Sequence, residues 1–368
     1  MEEIIRTLLV PFEVSMGKTM QSSKWHGEGD VYTHTLMVSE ALKSLPEYQQ
    51  LEERKRTILL MAAMLHDIGK IPTTGYTDDW HSPHHAPVGS RMARELLWKE
   101  YGYCGQKELM EFREAVCLLV RYHTFPVHAL EMNNVRQKMH RIASNGLLVP
   151  DFSIKLLCLL SKADVMGRKS VERLQSLEKI AMCEELAQAE GCYKSCYPFL
   201  SQNTKRAFLS GHNVLKEQEL YDDTWGEVVL MSGLPGTGKD TWIKNNFPNV
   251  PVISLDDIRI CNKISPEAEQ GRVVNIAREQ AKEYLSQHQP FVWNATNITA
   301  VTREGLVKLF ESYQARVRVV YLETEWETEL ERNRSREAVI DQSVILWMLG
   351  KMELPEAYEA RNVEWKTV

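Results

Sequence analysis

Val228-Val229-Leu230-Met231-Ser232-Gly233-Leu234-Pro235-Gly236-Thr237-Gly238-Lys239-Asp240-Thr241-Trp242 is the stretch that decides the reading of this chain. A β-branched and apolar run meets a glycine-rich segment, and helix-compatible residues follow. Gly233 to Lys239 fits the phosphate-binding pattern G-x-x-x-x-G-K. Glycines let successive backbone N–H groups turn inward around phosphate oxygens, and a helix N-terminus adds partial positive charge. Gly233, Gly236, Thr237, Gly238 and Thr241 are thus candidate nucleotide contacts, with Lys239 reaching the terminal phosphates as a point charge. A plain glycine-rich turn is the alternative; the preceding strand, the following helix and the lysine together favour the phosphate loop. One position departs from the pattern. The residue after the lysine is expected to be Ser or Thr, whose hydroxyl holds Mg²⁺, and here it is Asp240. Its carboxylate can reach Mg²⁺ directly or through water, or can simply favour the helix N-terminus.

Downstream of the loop, strand and helix alternate. Val250–Ser254 reads as a short buried strand leading into Leu255-Asp256-Asp257-Ile258-Arg259, and Glu267–Gln287 reads as a helix. A strand at Phe291–Asn294 runs into Ala295-Thr296-Asn297, followed by a helix at Thr302–Tyr313 and a strand at Val317–Leu322. Trp326–Lys351 is expected to be helical and carries Arg332, Arg334 and Arg336. The alternation predicts a doubly wound, mainly parallel α/β sheet with ligands at the carboxyl ends of its strands. Asp256 and Arg259 fall at such an end, where a carboxylate can take the proton of an attacking hydroxyl and a guanidinium can fork onto a phosphate. An N-capping aspartate beside a surface arginine is the plainer alternative. Arg332 and Arg336 divide in the same way between a solvated helix face and a lid over the transferred phosphoryl group.

A chain of 368 residues is long enough for two domains with separate cores. No apolar run reaches the length of a membrane span, and Met1-Glu2-Glu3 lacks the basic start of a signal peptide. Seven cysteines, scattered and without CxxC pairing, indicate reduced thiols and a cytoplasmic location. The net charge of −6 argues against broad non-specific nucleic-acid binding but leaves room for a local basic groove.

The first half carries a different chemistry. An amphipathic opening helix is expected over residues 1–20, from the spacing of Ile4, Ile5, Leu8, Leu9 and Phe12. His34 follows the segment His26-Gly27-Glu28-Gly29-Asp30-Val31. His66 and Asp67 close the apolar helix Ile58–Leu65, His85 precedes another helical segment, and His123 follows the apolar run Val116–Val120. Asp164 lies near the end of the helix Ile154–Asp164. Any one of these histidines alone would be an ordinary surface or core residue. Imidazoles and carboxylates on successive helices make a set suited to divalent transition metals, and an aspartate can bridge two ions. The helix from Val171 to about Gln188 carries no chemistry, and no internal repeat is present.

On these residues, 20–170 resemble the HD metal-dependent phosphohydrolase superfamily, with His66-Asp67 as the namesake motif. The resemblance implies an all-α domain in which His34, His66, Asp67 and Asp164 hold one metal. His85 and His123 would complete a second site bridged by Asp67. The ions would be Mn²⁺, Co²⁺, Ni²⁺ or similar. The stretch His26–Thr35 is most similar to the HD domain of bacterial tRNA nucleotidyltransferases, which points to phosphoesters at RNA ends. Lys70 would then bind phosphate, unless it is a solvated surface lysine.

Residues 227–355 resemble polynucleotide 5′-kinases through the loop, Asp256-Asp257-Ile258-Arg259, Thr296-Asn297 and Arg332-Asn333-Arg334-Ser335-Arg336. That likeness implies Asp256 as general base, Arg259 on the acceptor phosphate, and Arg332 and Arg336 on an NTP, ATP foremost, bound with Mg²⁺. The expected organisation is an HD domain over 1–210, a linker over 211–226 and a kinase domain over 227–368. The combination resembles bacterial end-healing enzymes acting on RNA or DNA ends with 5′-hydroxyl and 3′-phosphate or 2′,3′-cyclic phosphate groups. A ligase would act afterwards, no membrane is involved, and self-association stays open. Two alternatives stand beside this reading: a nucleotide phosphohydrolase fused to a small-molecule kinase, and a non-catalytic NTP sensor.

Overall fold

The computed structural model describes residues 7–264, 270–335 and 339–368. The chain divides into two compact units, Met1–Tyr103 with Glu108–Tyr197, and Cys104–Lys107 with Pro198–Val368.

The first unit is helical. Its centre is formed by the helices Glu53–Leu65 and Ile154–Met166, which pack against the helix Val31–Ser44. From Thr57 to Leu65 every residue of the first is buried, as is nearly every residue of the second. A helix that is apolar on all sides has to lie inside a bundle, and these two carry His66-Asp67 and Asp164 at their carboxyl ends into the interior. Side-chain caps fix where the flanking helices begin. Asp30 accepts from Thr33 N at 2.8 Å, placing His34 one turn into its helix, and Ser153 accepts from Leu156 N at 3.3 Å. The expected all-α unit also contains a short antiparallel ladder, β1 (Gly75–Tyr76) with β2 (Trp80–His81), closed by the turn residues Thr77, Asp78 and Asp79. Of the opening helix, Ile4 and Ile5 lie outside the described residues; Leu8, Leu9 and Met16 are buried and a helix spans Glu13–Lys18.

The longer stretch of the second unit, Pro198–Val368, includes the residues expected to form the linker, 211–226. Arg206, on the helix Gln202–Ser210, forks onto Glu311 through two bonds of 2.7 Å and donates to Tyr358 O at 2.6 Å. Thr204 Oγ1 donates to Gln218 O at 2.6 Å, so the polar stretch after this helix is tied to it. Within the stretch expected to be a linker, Asp222 pairs with Arg361 Nη1 at 2.9 Å.

Among the described residues this unit has the strands β3 (Glu227–Ser232), β4 (Val252–Ser254), β5 (Val292–Asn294), β6 (Arg316–Glu323) and β7 (Asn362–Thr367). They are all parallel, in the order β4-β5-β3-β6-β7. Val228 and Leu230 face one core with Trp293, Val317, Val319 and Phe310, while Val229 and Met231 face another with Val292, Val320 and Ile243. Burial on both faces is why β3 reads as a continuous apolar run rather than an alternation. The chain passes from β3 to one side of the sheet and later to the other, so the end of β3 is the switch point at which such sheets bind ligands. Two details differ from expectation. The single helix over Trp326–Lys351 is two, Trp326–Arg334 and Gln342–Lys351, because Asp341 caps the second through Ser343 N at 2.8 Å. Strand β7, which was not anticipated, pairs with β6 along its whole length. Among the described residues no helix is long and apolar enough to cross a membrane.

Candidate metal centre and phosphate loop

His34, His66, Asp67, His123 and Asp164 are all buried in the first unit, and His85 is mostly so. Asp67 stands between two groups. Its Oδ2 lies 3.2 Å from His66 Nε2 and 3.6 Å from His34 Nε2. Its Oδ1 lies 3.5 Å from His85 Nε2 and 3.8 Å from His123 Nε2. Asp164 Oδ1 joins the first group, 3.1 Å from His34 Nε2. In each group of three around Asp67 the ligand atoms lie within 4.8 Å of one another.

The rings are aimed from behind. Nδ1 of His66 donates to Ala63 O at 2.8 Å, that of His85 to Ser82 O at 2.9 Å, and that of His123 to Val120 O at 2.8 Å. His34 Nδ1 lies 2.8 Å from Glu28 Oε1. Each imidazole therefore turns Nε2, with its lone pair, toward the centre, which is the outer support that metal-binding histidines carry. Asp67 Oδ1 is buried and has no hydrogen-bond partner. A carboxylate oxygen left so, among convergent imidazole nitrogens, fits a divalent cation and fits an apolar core badly.

Charge supports the same fit. Three carboxylates, Glu28, Asp67 and Asp164, face two fixed cations, Lys70 and Arg168. Burial would push both aspartates up. His66 and Lys70 beside Asp67, and Arg168 and His34 beside Asp164, instead hold both well below the usual carboxylate range. Burial also pulls the His66 imidazole down, but Asp67 and Asp164 more than reverse this and its pKa is raised. His123 is driven the other way, to about 3, by burial with His66 and His85 as neighbours.

Lys70 is not a solvated surface lysine. It is buried, with Nζ 2.7 Å from Asp67 Oδ2 and donating to Gln21 Oε1 at 2.6 Å. Two supports were missed in the sequence. Arg168, just past the end of the helix Ile154–Met166, grips both oxygens of Asp164, its Nε at 3.0 Å, and the i,i+4 spacing was the available signal. Glu28 accepts from His26 Nδ1 at 2.9 Å and from Lys169 N at 2.9 Å, and the latter bond has no local signature.

In the second unit the loop has the geometry that its glycines imply. Gly233 and Gly236 have φ of +144° and +88°, and a Cβ would stand 2.5 Å from Leu322 O at the first and 2.8 Å from Glu329 O at the second. Neither position accepts a side chain. Thr237 Oγ1 donates to Leu234 O at 2.9 Å, and Gly238 caps the helix Lys239–Asn246. Lys239 Nζ curls into the loop, donating to Gly233 O at 3.0 Å and Leu234 O at 2.7 Å. Arg332 Nη1 is 3.3 Å from the Cβ position of Gly238, so one expected arginine lies against the loop; Arg334 is exposed, and Arg336 lies outside the described residues. Thr241 is exposed on the helix. Asp240 Oδ1 accepts from Asn294 Nδ2 at 2.6 Å, a partner that the sequence did not reveal.

Asp256 and Arg259 lie on the helix Leu255–Cys261 directly after β4, which β5 separates from β3. The cap of that helix is Ser254, whose Oγ accepts from Asp257 N at 3.1 Å, so Asp256 is not held there as a cap. Its carboxylate is exposed and lies 3.1 Å from Arg259 Nη1. Glu329 was also missed. Its side chain is buried beside the loop with neither carboxylate oxygen hydrogen-bonded. Burial and the neighbouring Glu323 raise its pKa to about 8 against the pull of Lys239.

Comparison with known families bears on both units. Residues 31–166 match the family model of the HD domain, a span that runs from the His34 helix to Asp164. Residues 228–355 match that of an AAA domain, from the phosphate-loop strand to beyond the helix Gln342–Lys351. No curated protein matches the chain in sequence. The two matches place an HD domain in the amino-terminal, helical part of the chain and an AAA domain, of P-loop kinase-like fold, in the carboxyl-terminal part.

Proposed function

We propose that the chain heals nucleic-acid ends, RNA foremost. The second unit would phosphorylate 5′-hydroxyl termini from an NTP, and the first would clear 3′-phosphate or 2′,3′-cyclic phosphate termini. The observation that carries this reading is the Asp256–Arg259 pair beyond β4, in which Asp256 is exposed and is not the cap of its helix, a role that Ser254 fills. Asp256 would take the proton of the 5′-hydroxyl as its oxygen attacks the γ-phosphorus and the NDP leaves. Arg259 would grip the phosphate on the 3′ side of that nucleoside, a group that a polynucleotide has and a plain nucleoside lacks. Lys239 and Arg332, both at the loop, would balance charge on the transferred group.

In the first unit His34, His66, Asp67 and Asp164 would hold one ion, with His85, His123 and the free Oδ1 of Asp67 holding a second. Ions there supply Lewis-acid charge and a water acidic enough to ionise near neutrality. Lys70 and Arg168 keep two site carboxylates ionised and lend positive charge toward an incoming phosphate. The Nδ1 bonds behind His66, His85 and His123 fix the direction of their Nε2 atoms.

The test compares acceptors. A 5′-hydroxyl oligonucleotide, a nucleoside 3′-monophosphate and a plain nucleoside are each offered with labelled NTP. Phosphate release from a 3′-phosphate oligonucleotide is followed in parallel. Strong labelling of the first two and of the nucleoside only weakly is expected. Equal labelling of all three would replace this reading by a small-molecule kinase.

A further inference from the structure

In phosphate-loop enzymes the metal that accompanies the nucleotide is held by a hydroxyl directly after the loop lysine and by an aspartate elsewhere in the site. This chain has a carboxylate, Asp240, at the first of these positions. The strand beside the loop strand, β5, pairs with β3 through Leu230 and Trp293 and ends at Asn294. Asn294 is buried, Asp240 is exposed, and Asn294 Nδ2 donates to Asp240 Oδ1 at 2.6 Å. An ionised carboxylate only accepts, so the amide nitrogen must be the group that faces it.

We propose that charge has changed places in this nucleotide site: Asp240 supplies the carboxylate from the loop, and Asn294 takes the neutral, orienting role. The inference rests on the reading of the loop as an NTP site. By occupying Oδ1, Asn294 fixes the rotamer of Asp240 and leaves Oδ2 for a divalent cation bound with the nucleotide. The site then keeps one carboxylate and one neutral partner, as a hydroxyl and an aspartate would give. Charge count is the reason the two identities belong together. An aspartate at both positions would set two carboxylates at hydrogen-bonding distance, which raises the pKa of one and weakens the site for phosphate. A serine and an asparagine would leave the pair with no charge for the cation. Asn294 is thus a positioning residue, held by its strand, since β4 pairs in register with it through Ser254.

The experiment measures ATP binding to the full chain with and without Mg²⁺, by calorimetry, for the unsubstituted protein, D240S, N294D and the double variant D240S/N294D. Each single variant is expected to lose about tenfold or more of the strengthening that Mg²⁺ gives to ATP binding. The double variant is expected to regain it to within about threefold of the parent, because a hydroxyl–aspartate pair restores the charge count. Binding without Mg²⁺ reports that the loop remains folded in every variant. Losses that simply add in the double variant, or a D240S protein with undiminished Mg²⁺ dependence, would overturn the exchange. ATP binding that survives K239A, or is absent from the parent, would overturn the nucleotide-loop reading itself and this proposal with it.

Discussion

Lys70 Nζ lies 2.7 Å from Asp67 Oδ2, three residues along the chain, with both side chains buried. His66 and Lys70 keep Asp67 ionised, while its Oδ1 is left without a hydrogen-bond partner. One residue is thereby both charged and open to a ligand. K70M should keep metal bound at parental levels, because removing a cation does not weaken an anionic site, yet should lower phosphoesterase turnover by about a hundredfold. Elemental analysis beside turnover of a 3′-phosphate oligonucleotide checks this. Metal lost together with activity would show that Lys70 merely holds the site in shape.

Glu28 steadies His34 from behind at 2.8 Å. E28Q keeps the volume and removes the charge. Loss of such an outer partner is expected to weaken metal binding by roughly 10–100-fold, with the transition-metal preference over Mg²⁺ retained. Competition with a chelating dye gives the affinity, and an unchanged value would dismiss Glu28 as a support.

The cluster around Asp67 and the phosphate loop lie in separate compact units. K239A should abolish kinase activity and spare the phosphoesterase, and D67A should do the reverse. A folded single variant lacking both activities would contradict independent sites.

Arg259 should set acceptor choice. Loss of a charged bidentate contact costs about 1.5–3 kcal/mol, or roughly ten- to a hundredfold. R259A should therefore lose that much kcat/KM on a nucleoside 3′-monophosphate, and R259K should recover little of it because an ammonium cannot fork. A variant that loses equally on a plain nucleoside would place the arginine outside acceptor binding.

Glu329 gives a pH dependence of stability. Its folded pKa, about 8, is raised above the ordinary carboxyl value by burial and Glu323, against Lys239. The folded protein thus keeps a proton that the unfolded chain has released, and stability falls as pH rises between the ordinary carboxyl range and pH 8. From about pH 6 to above pH 8 the loss is on the order of 2–3 kcal/mol. Thermal unfolding of E329Q should show a smaller drop over this interval. Parallel drops in the two proteins would show that Glu329 does not carry the effect.

Much of the architecture was legible in the sequence. The run Val228–Ser232 before Gly233 required a buried strand entering a glycine turn, because no other local structure suits both halves. Periodicity and composition placed the helices ending at His66-Asp67 and Asp164, since residues apolar on every side have nowhere to lie but the interior. Identity and order of motif residues also singled out imidazoles and carboxylates that come together around Asp67. What the tertiary structure decided is which groups meet across long separations. Asn294 reaches Asp240, Glu28 reaches His34 and Lys169, and Arg206 draws the helix Gln202–Ser210 into the second unit. Strand β7 owes its place to the free edge of β6, and Glu329 owes its raised pKa to burial beside the loop. Local sequence fixes backbone preference and polarity over a few turns of chain. Contacts between distant residues, and the loss of water that gives each its electrostatic weight, exist only once the fold has closed around them.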